Sequence, residues 1–142
     1  MVKVVLDTNV IVSAIVFEGV PHEILQLVLY SQIQGFISKH IITEVRGVLG
    51  RKFNFSPAEL EGIEILLEGS FTLVEPRLSV KLIKAHIADN RILECALDSQ
   101  VDYLISGDAK HILPLERVGR LAIVTPSQFL RAYSLQKLKG NK

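Results

Sequence analysis

Residues 2–14, VKVVLDTNVIVSA, run apolar almost without a break until Asp7, Thr8 and Asn9 interrupt them. Val2, Val4, Val5 and Leu6 have the character of a short buried strand, and Val10, Ile11, Val12, Ala14, Ile15 and Val16 that of a buried helix. Asp7 therefore stands at a strand-to-helix junction. A carboxylate left unpaired in apolar surroundings is costly, so Asp7 has to be hydrogen-bonded, neutralised or beside a cation.

The same strand-then-helix alternation continues along the chain. GVPHE (19–23) predicts a helix start with Pro21 in its first turn, followed by an apolar face of Ile24, Leu25, Leu27, Val28 and Leu29. GFIS (35–38) reads as a strand and KHIITEVRGVLG (39–50) as a helix. Ser56, Pro57 and Glu59 form a capping-box signature, predicting a helix from there to about Leu67. Strands are expected over 71–75, 102–106 and 120–125, and helices over 89–100 and 126–133, with residues 134–142 a frayed tail. Short apolar strands separated by helices indicate a parallel, doubly wound α/β sheet. Ligands bind such sheets beyond the carboxyl ends of the strands, which is where Asp7 falls.

With 142 residues, 49% hydrophobic and 22% charged, the chain is read as one folded domain, 1–142, with a proper core. A net charge of +1 gives no global electrostatic case for nucleic-acid binding, so any such case must be local. One cysteine excludes an internal disulfide and the multi-cysteine zinc sites. The first residues lack the pattern of a secretory signal, and no apolar run approaches the ~20 residues of a membrane span. The expectation is a soluble cytoplasmic protein. A mean hydropathy of +0.34 fits tight sheet burial or a subunit interface.

Most of the acidic residues need no special explanation; Glu59, Glu61, Glu64 and Glu68 lie along the wet side of one helix. Asp7, Glu44, Asp89 and Asp108 differ. At about 100° per residue, Asp89 falls in the middle of the stripe formed by Ile92, Leu93, Ala96 and Leu97. Glu94 is about 140° away and reads as a surface residue or one that supports the site from behind. Glu44 is at the edge of the face made by Ile41, Ile42, Val45, Val48 and Leu49. Asp108 follows the strand DYLIS directly. Each has a plainer reading: Asp7 and Asp89 as helix caps, Asp108 as turn chemistry and Glu44 as a solvated edge. Together they would meet at one sheet edge. Clustered carboxylates raise one another's pKa unless a cation compensates, and all-oxygen ligation suits Mg²⁺ or Mn²⁺. Such a set is what metal-assisted phosphodiester cleavage requires.

VVLDTNVIVSA, ITEVRGVL (42–49) and DNRILECALDSQVDYLISGDAKHIL (89–113) resemble the PIN-domain ribonucleases, from Val2 to about Phe129. The nearest branch in pattern is that of the toxins of toxin–antitoxin pairs. The resemblance implies a three-layer α/β/α fold with a mostly parallel sheet of about five strands. It implies a Mg²⁺- or Mn²⁺-dependent endoribonuclease acting on single-stranded RNA, with Asp7, Glu44, Asp89 and Asp108 as catalytic metal ligands. It puts Asn9 and Ser106 behind those acids, and it implies a small antitoxin partner and a homodimer or higher oligomer. One departure stands out: Ala88 occupies a position where this branch often has a further acid, which bears on metal affinity.

Lys39, His40, Arg46, Arg51 and Lys52 cluster around the second element, and Arg46 is the candidate substrate contact. His22, His40, His86 and His111 lack a ligand spacing, and Cys95 reads as a small buried apolar residue. Two alternatives stand beside the nuclease. A haloacid-dehalogenase-type phosphatase would need an acid where Asn9 stands. A catalytically weak or inactive PIN-like module would bind RNA or protein without cutting.

Overall fold

The computed structural model describes residues 1–77 and 87–140, with residues 87–89 as backbone only. In chain order the elements are β1 (Lys3–Leu6), α1 (Thr8–Val16), α2 (Val20–Leu29), β2 (Gln34–Ser38), α3 (Lys39–Phe53), α4 (Pro57–Ser70) and β3 (Thr72–Val74). There follow α5 (Ile87–Asp98), β4 (Tyr103–Ile105), a 3₁₀ turn (Leu113–Leu115), β5 (Arg117–Val118), β6 (Leu121–Val124) and α6 (Pro126–Gly140). The sheet order is β3-β2-β1-β4-β6-β5. Every pairing is parallel except β5 with β6.

The central strands β1 and β4 are strongly apolar because both of their faces are covered. Val4, Val5 and Leu6 point alternately to opposite faces of β1, yet all three are buried, as are Leu104 and Ile105 of β4. Helix α5 packs over β1, β2 and β4, while α6 packs against β4 and α2. The result is the expected three-layer α/β/α arrangement.

Local chemistry sets the element ends. Gly19 precedes α2 with φ +144°, a conformation open to glycine at little cost. Ser38 caps α3 by accepting from the Ile41 N–H. Ser56 and Glu59 form the complete reciprocal capping box that their spacing predicts. At Gly35, in β2, an added Cβ would lie 2.5 Å from the Phe71 ring and 3.0 Å from Val28.

The sheet has six strands rather than about five. The extra one, β5, is only two residues long and pairs back onto β6 through Gly119 (φ +61°) and Arg120. Nothing so short carries a periodicity. Helix α6 also runs to Gly140, so the segment expected to fray is helical as far as that residue. Tyr133 stacks on the buried Phe129 at 5.9 Å and anchors the middle of this helix, while Leu135 and Leu138 remain exposed. Among the described residues no single helix is long and apolar enough to cross a membrane.

Candidate active site

The pairing of β1 with β4 puts Leu6 beside Ile105, so both strands end at the same level of the sheet. The next residues, Asp7 and Ser106, are buried. Asp7 occupies the N-cap position of α1, with extended backbone, but its side chain makes no capping bond. Instead, Ser106 Oγ donates to Asp7 Oδ2 at 2.7 Å. The cap reading of Asp7 therefore gives way: the carboxylate faces the neighbouring strand. That a 4%-exposed carboxylate is directed there is the central feature of the site.

Ser106 serves two acids. Its Oγ also accepts the Asp108 N–H at 3.0 Å, fixing the turn that carries Asp108. The Asp108 Oδ1 in turn accepts the N–H groups of Lys110 (2.9 Å) and His111 (3.0 Å), and His111 Nδ1 lies 3.4 Å from Oδ2. Burial pushes the Asp108 pKa up, but the His111 and Lys110 N–H groups and the His111 side chain outweigh it. The carboxyl is held below its ordinary value and stays ionised.

Glu44 is reached from α1. Thr8 Oγ1 donates to Glu44 Oε1 at 2.9 Å, and His40 Nε2 lies 3.3 Å from the same oxygen. Thr8 follows Asp7 directly, so one dipeptide addresses Ser106 on one side and Glu44 on the other. Thr8 is not among the residues that the sequence pattern singles out. Its signal is a buried hydroxyl residue immediately after the junction acid.

The remaining candidates are placed as follows. Asp89 is in the first turn of α5, and its side chain lies outside the described residues, as does that of Ala88. His86 also lies outside them. Asn9 is exposed in the first turn of α1. Glu94 is buried, where a surface position is one of its two readings, and Arg91 meets it through one 2.8 Å hydrogen bond and one 2.8 Å ion-pair contact. Arg46 pairs with Glu64 and, at 4.0 Å, with Glu61, so its guanidinium is directed at α4. Burial pushes the Cys95 thiol up to about 12, as expected of a core residue.

Among the described residues no three acid, histidine or cysteine side chains stand close enough to form a metal cage by themselves. The donor chemistry nevertheless fits a hard divalent ion. Asp7, Glu44 and Asp108 present carboxylate oxygens from the ends of β1 and β4 and from α3, with hydroxyl groups holding two of them in place. Next to Glu44, through His40, is a cleft of about 580 Å³ whose lining includes Ser38, Lys39, His40, Arg91 and Glu94 but not Asp7, Glu44 or Asp108. A separate depression of about 500 Å³, lined by Met1, Gln32 and Asp102, opens at the amino ends of the strands and contains none of the candidate acids.

Similar proteins share this frame. The structure of VapBC2 from Rickettsia felis, bound to a DNA fragment from its promoter, aligns with a TM-score of 0.61 and 15% identity, covering 85% of this chain and 96% of that one. FitAcB from Neisseria gonorrhoeae aligns with a TM-score of 0.53 and 18% identity, covering 87% and 97%. The RRP44 PIN domain of T. brucei aligns at 0.55 and 13%, covering 97% and 84%. These likenesses speak to the fold. No curated protein matches the sequence. The family model described as PIN domain matches residues 3–110. Because that match spans well over half its length, this chain belongs to the PIN-domain family, whose members are generally nucleases.

Proposed function

We propose that this protein is a Mg²⁺- or Mn²⁺-dependent endoribonuclease of single-stranded RNA and the toxin of a toxin–antitoxin pair. The observation that carries the reading is the Ser106 hydroxyl, which joins Asp7 to the Asp108 turn across two neighbouring strand ends. A fold that only needed to cap α1 would use the Asp7 carboxylate on the helix N–H groups, and it does not. Family membership supports a nuclease. Likeness to VapBC2 and FitAcB supports the antitoxin partner.

In this reading Asp7, Glu44, Asp89 and Asp108 hold the metal. When bound, a divalent ion lowers the pKa of water and offsets phosphate charge. Hydrolysis adds a water oxygen to phosphorus and expels one bridging oxygen as an alcohol. The chain's own part is positional. Ser106 orients Asp7, Thr8 orients Glu44, and the Lys110 and His111 N–H groups keep Asp108 anionic. Low exposure of Asp7 keeps bulk water from competing for its oxygens.

The test is cleavage of a mixed-sequence single-stranded RNA by the purified protein in Mg²⁺, Mn²⁺ or EDTA, beside Asp7→Asn. Cuts that need metal and vanish in the variant are expected. Undiminished cutting by Asp7→Asn would sink the assignment. RNA binding with no cuts under any condition would point instead to an inactive PIN-like binding module.

A further inference from the structure

The cleft next to Glu44 contains a charged arrangement that the proposed chemistry does not use. Glu94, on α5, is 5% exposed. A carboxylate so deeply placed is tolerable only with a strong partner. Arg91 supplies one: its Nε and one terminal nitrogen meet the two Glu94 oxygens, each at 2.8 Å. The terminal N–H donates a charge-assisted hydrogen bond to Oε2, while Nε meets Oε1 as an ion-pair contact, so the carboxylate holds the guanidinium at two points. The two residues are three apart on one helix, so their pair fastens no element to another.

A guanidinium has five N–H donors, and one of them is hydrogen-bonded to Glu94. The Arg91 side chain is 38% exposed and forms part of the cleft wall. Ser38, Lys39 and His40, at the junction of β2 and α3, also border the cleft, as do Leu73, Val74, Glu75 and Pro76. Its volume of about 580 Å³ falls within the range of sites that enclose small organic groups. One part offers cationic donors and another offers aliphatic surface. A nucleotide has matching halves, a phosphate and a flat base.

We infer that this cleft seats a nucleotide of the RNA strand flanking the scissile phosphate, with Arg91 contacting its phosphate and Glu94 acting as the positioning residue for Arg91. The inference rests on the RNA-cleaving reading. Among the described residues the cleft has no aromatic lining, so the base meets an aliphatic wall rather than a stacking platform. The grip comes through phosphate and tolerates different bases.

The experiment measures binding of a fluorescently labelled 12-nucleotide single-stranded RNA by anisotropy in EDTA, across a salt series. Three variants are compared with wild type: Arg91→Lys, Glu94→Gln and the double variant Arg91→Ala/Glu94→Gln. Circular dichroism checks that each is folded. The double variant is expected to bind about 10-fold more weakly, with the salt slope reduced by about 0.7, the loss of one phosphate contact. Arg91→Lys keeps the slope but weakens binding about threefold, because an ammonium lacks the fork. Glu94→Gln gives the sharpest discrimination. It removes a negative charge, so charge alone would tighten RNA binding, whereas loss of positioning weakens it. Tighter or unchanged binding by folded Glu94→Gln, with an unchanged slope in the double variant, overturns the inference and leaves a cleaving wild type intact. A wild type that neither binds nor cuts RNA overturns both.

Discussion

Replacing Ser106 with alanine is the perturbation that probes the site most directly. The hydroxyl is fully buried and makes two bonds, one to the Asp7 carboxylate at 2.7 Å and one from the Asp108 N–H at 3.0 Å. A bond to a charged acceptor contributes about 1.5–3 kcal/mol, and the neutral N–H bond about 1 kcal/mol. The Asp7 bond dominates, because Asp7 is buried whereas Asp108 is partly open to water. Ser106→Ala is therefore expected to lower stability by about 3 kcal/mol. At roughly 3 °C per kcal/mol for a chain of this size, Tm falls by about 10 °C. Melting followed by circular dichroism in EDTA reads this free of metal linkage. Cleavage in Mn²⁺ should slow about 10–100-fold, the usual penalty for removing a group that orients metal ligands. The coupling is isolated by a double-mutant cycle with Asp7→Asn, in which a charged acceptor becomes a neutral one. About 1 kcal/mol of interaction energy is expected between the two substitutions. A Tm within 3 °C of wild type together with an unchanged cleavage rate would refute the reasoning, because the bridge would then carry neither structure nor function.

Gly35→Ala forces a methyl to within 2.5 Å of the buried Phe71 ring, so overpacking should destabilise the protein by about 1–3 kcal/mol in urea melts. An unchanged midpoint would mean the ring has room to move. Burial raises the Cys95 thiol to about 12, so a thiol reagent at pH 8 should label it only after unfolding; rapid labelling of the native protein would contradict the burial. The Ser56 backbone N–H and then the Ser56 side chain hold Glu59 below its ordinary value of 4.5. Its contribution is therefore present above that pH and is lost as pH falls through the lowered value. The Tm gap between wild type and Glu59→Gln should close on acidification; a gap that widened would reverse the sign of the linkage.

Much of the layer order is readable from the residues, because each strand is short, apolar and bracketed by turn or cap chemistry. The Ser56–Glu59 box is local and carries its own signature, and it forms as its spacing requires. The frame holds, but local rules reach less far at the site. Asp7 as cap and Asp7 as site acid are equally consistent with DTN, since the deciding partner, Ser106, is 99 positions away. Thr8 is illegible for the same reason: its bond to Glu44 spans 36 positions. Glu94 shows where periodicity misleads. Its angle from the apolar stripe suits a solvent-facing helix side, but α5 packs against α3 as well as the sheet, so a wider arc is covered. Charge and chain position point to Arg46 as a substrate contact, but neither reveals that α4 supplies Glu64 opposite it. β5 escaped notice because two residues have no pattern to detect.

The sheet order also imposes a schedule. The chain through residue 77 contains everything needed for β1, β2 and β3 and carries Asp7 and Glu44, but lacks the strand that completes the centre of the sheet. Only when β4 arrives beside β1 does Asp7 receive the Ser106 hydroxyl. Closing so long a loop is slow compared with forming neighbouring elements, and domains fold as their chain is delivered by the ribosome. The earlier portion can fold locally while its acids remain without their later partner. Synthesis must pass residue 108 before the three described acids exist in one molecule. On the proposed reading of the site, an unfinished chain is one whose acids have not yet met.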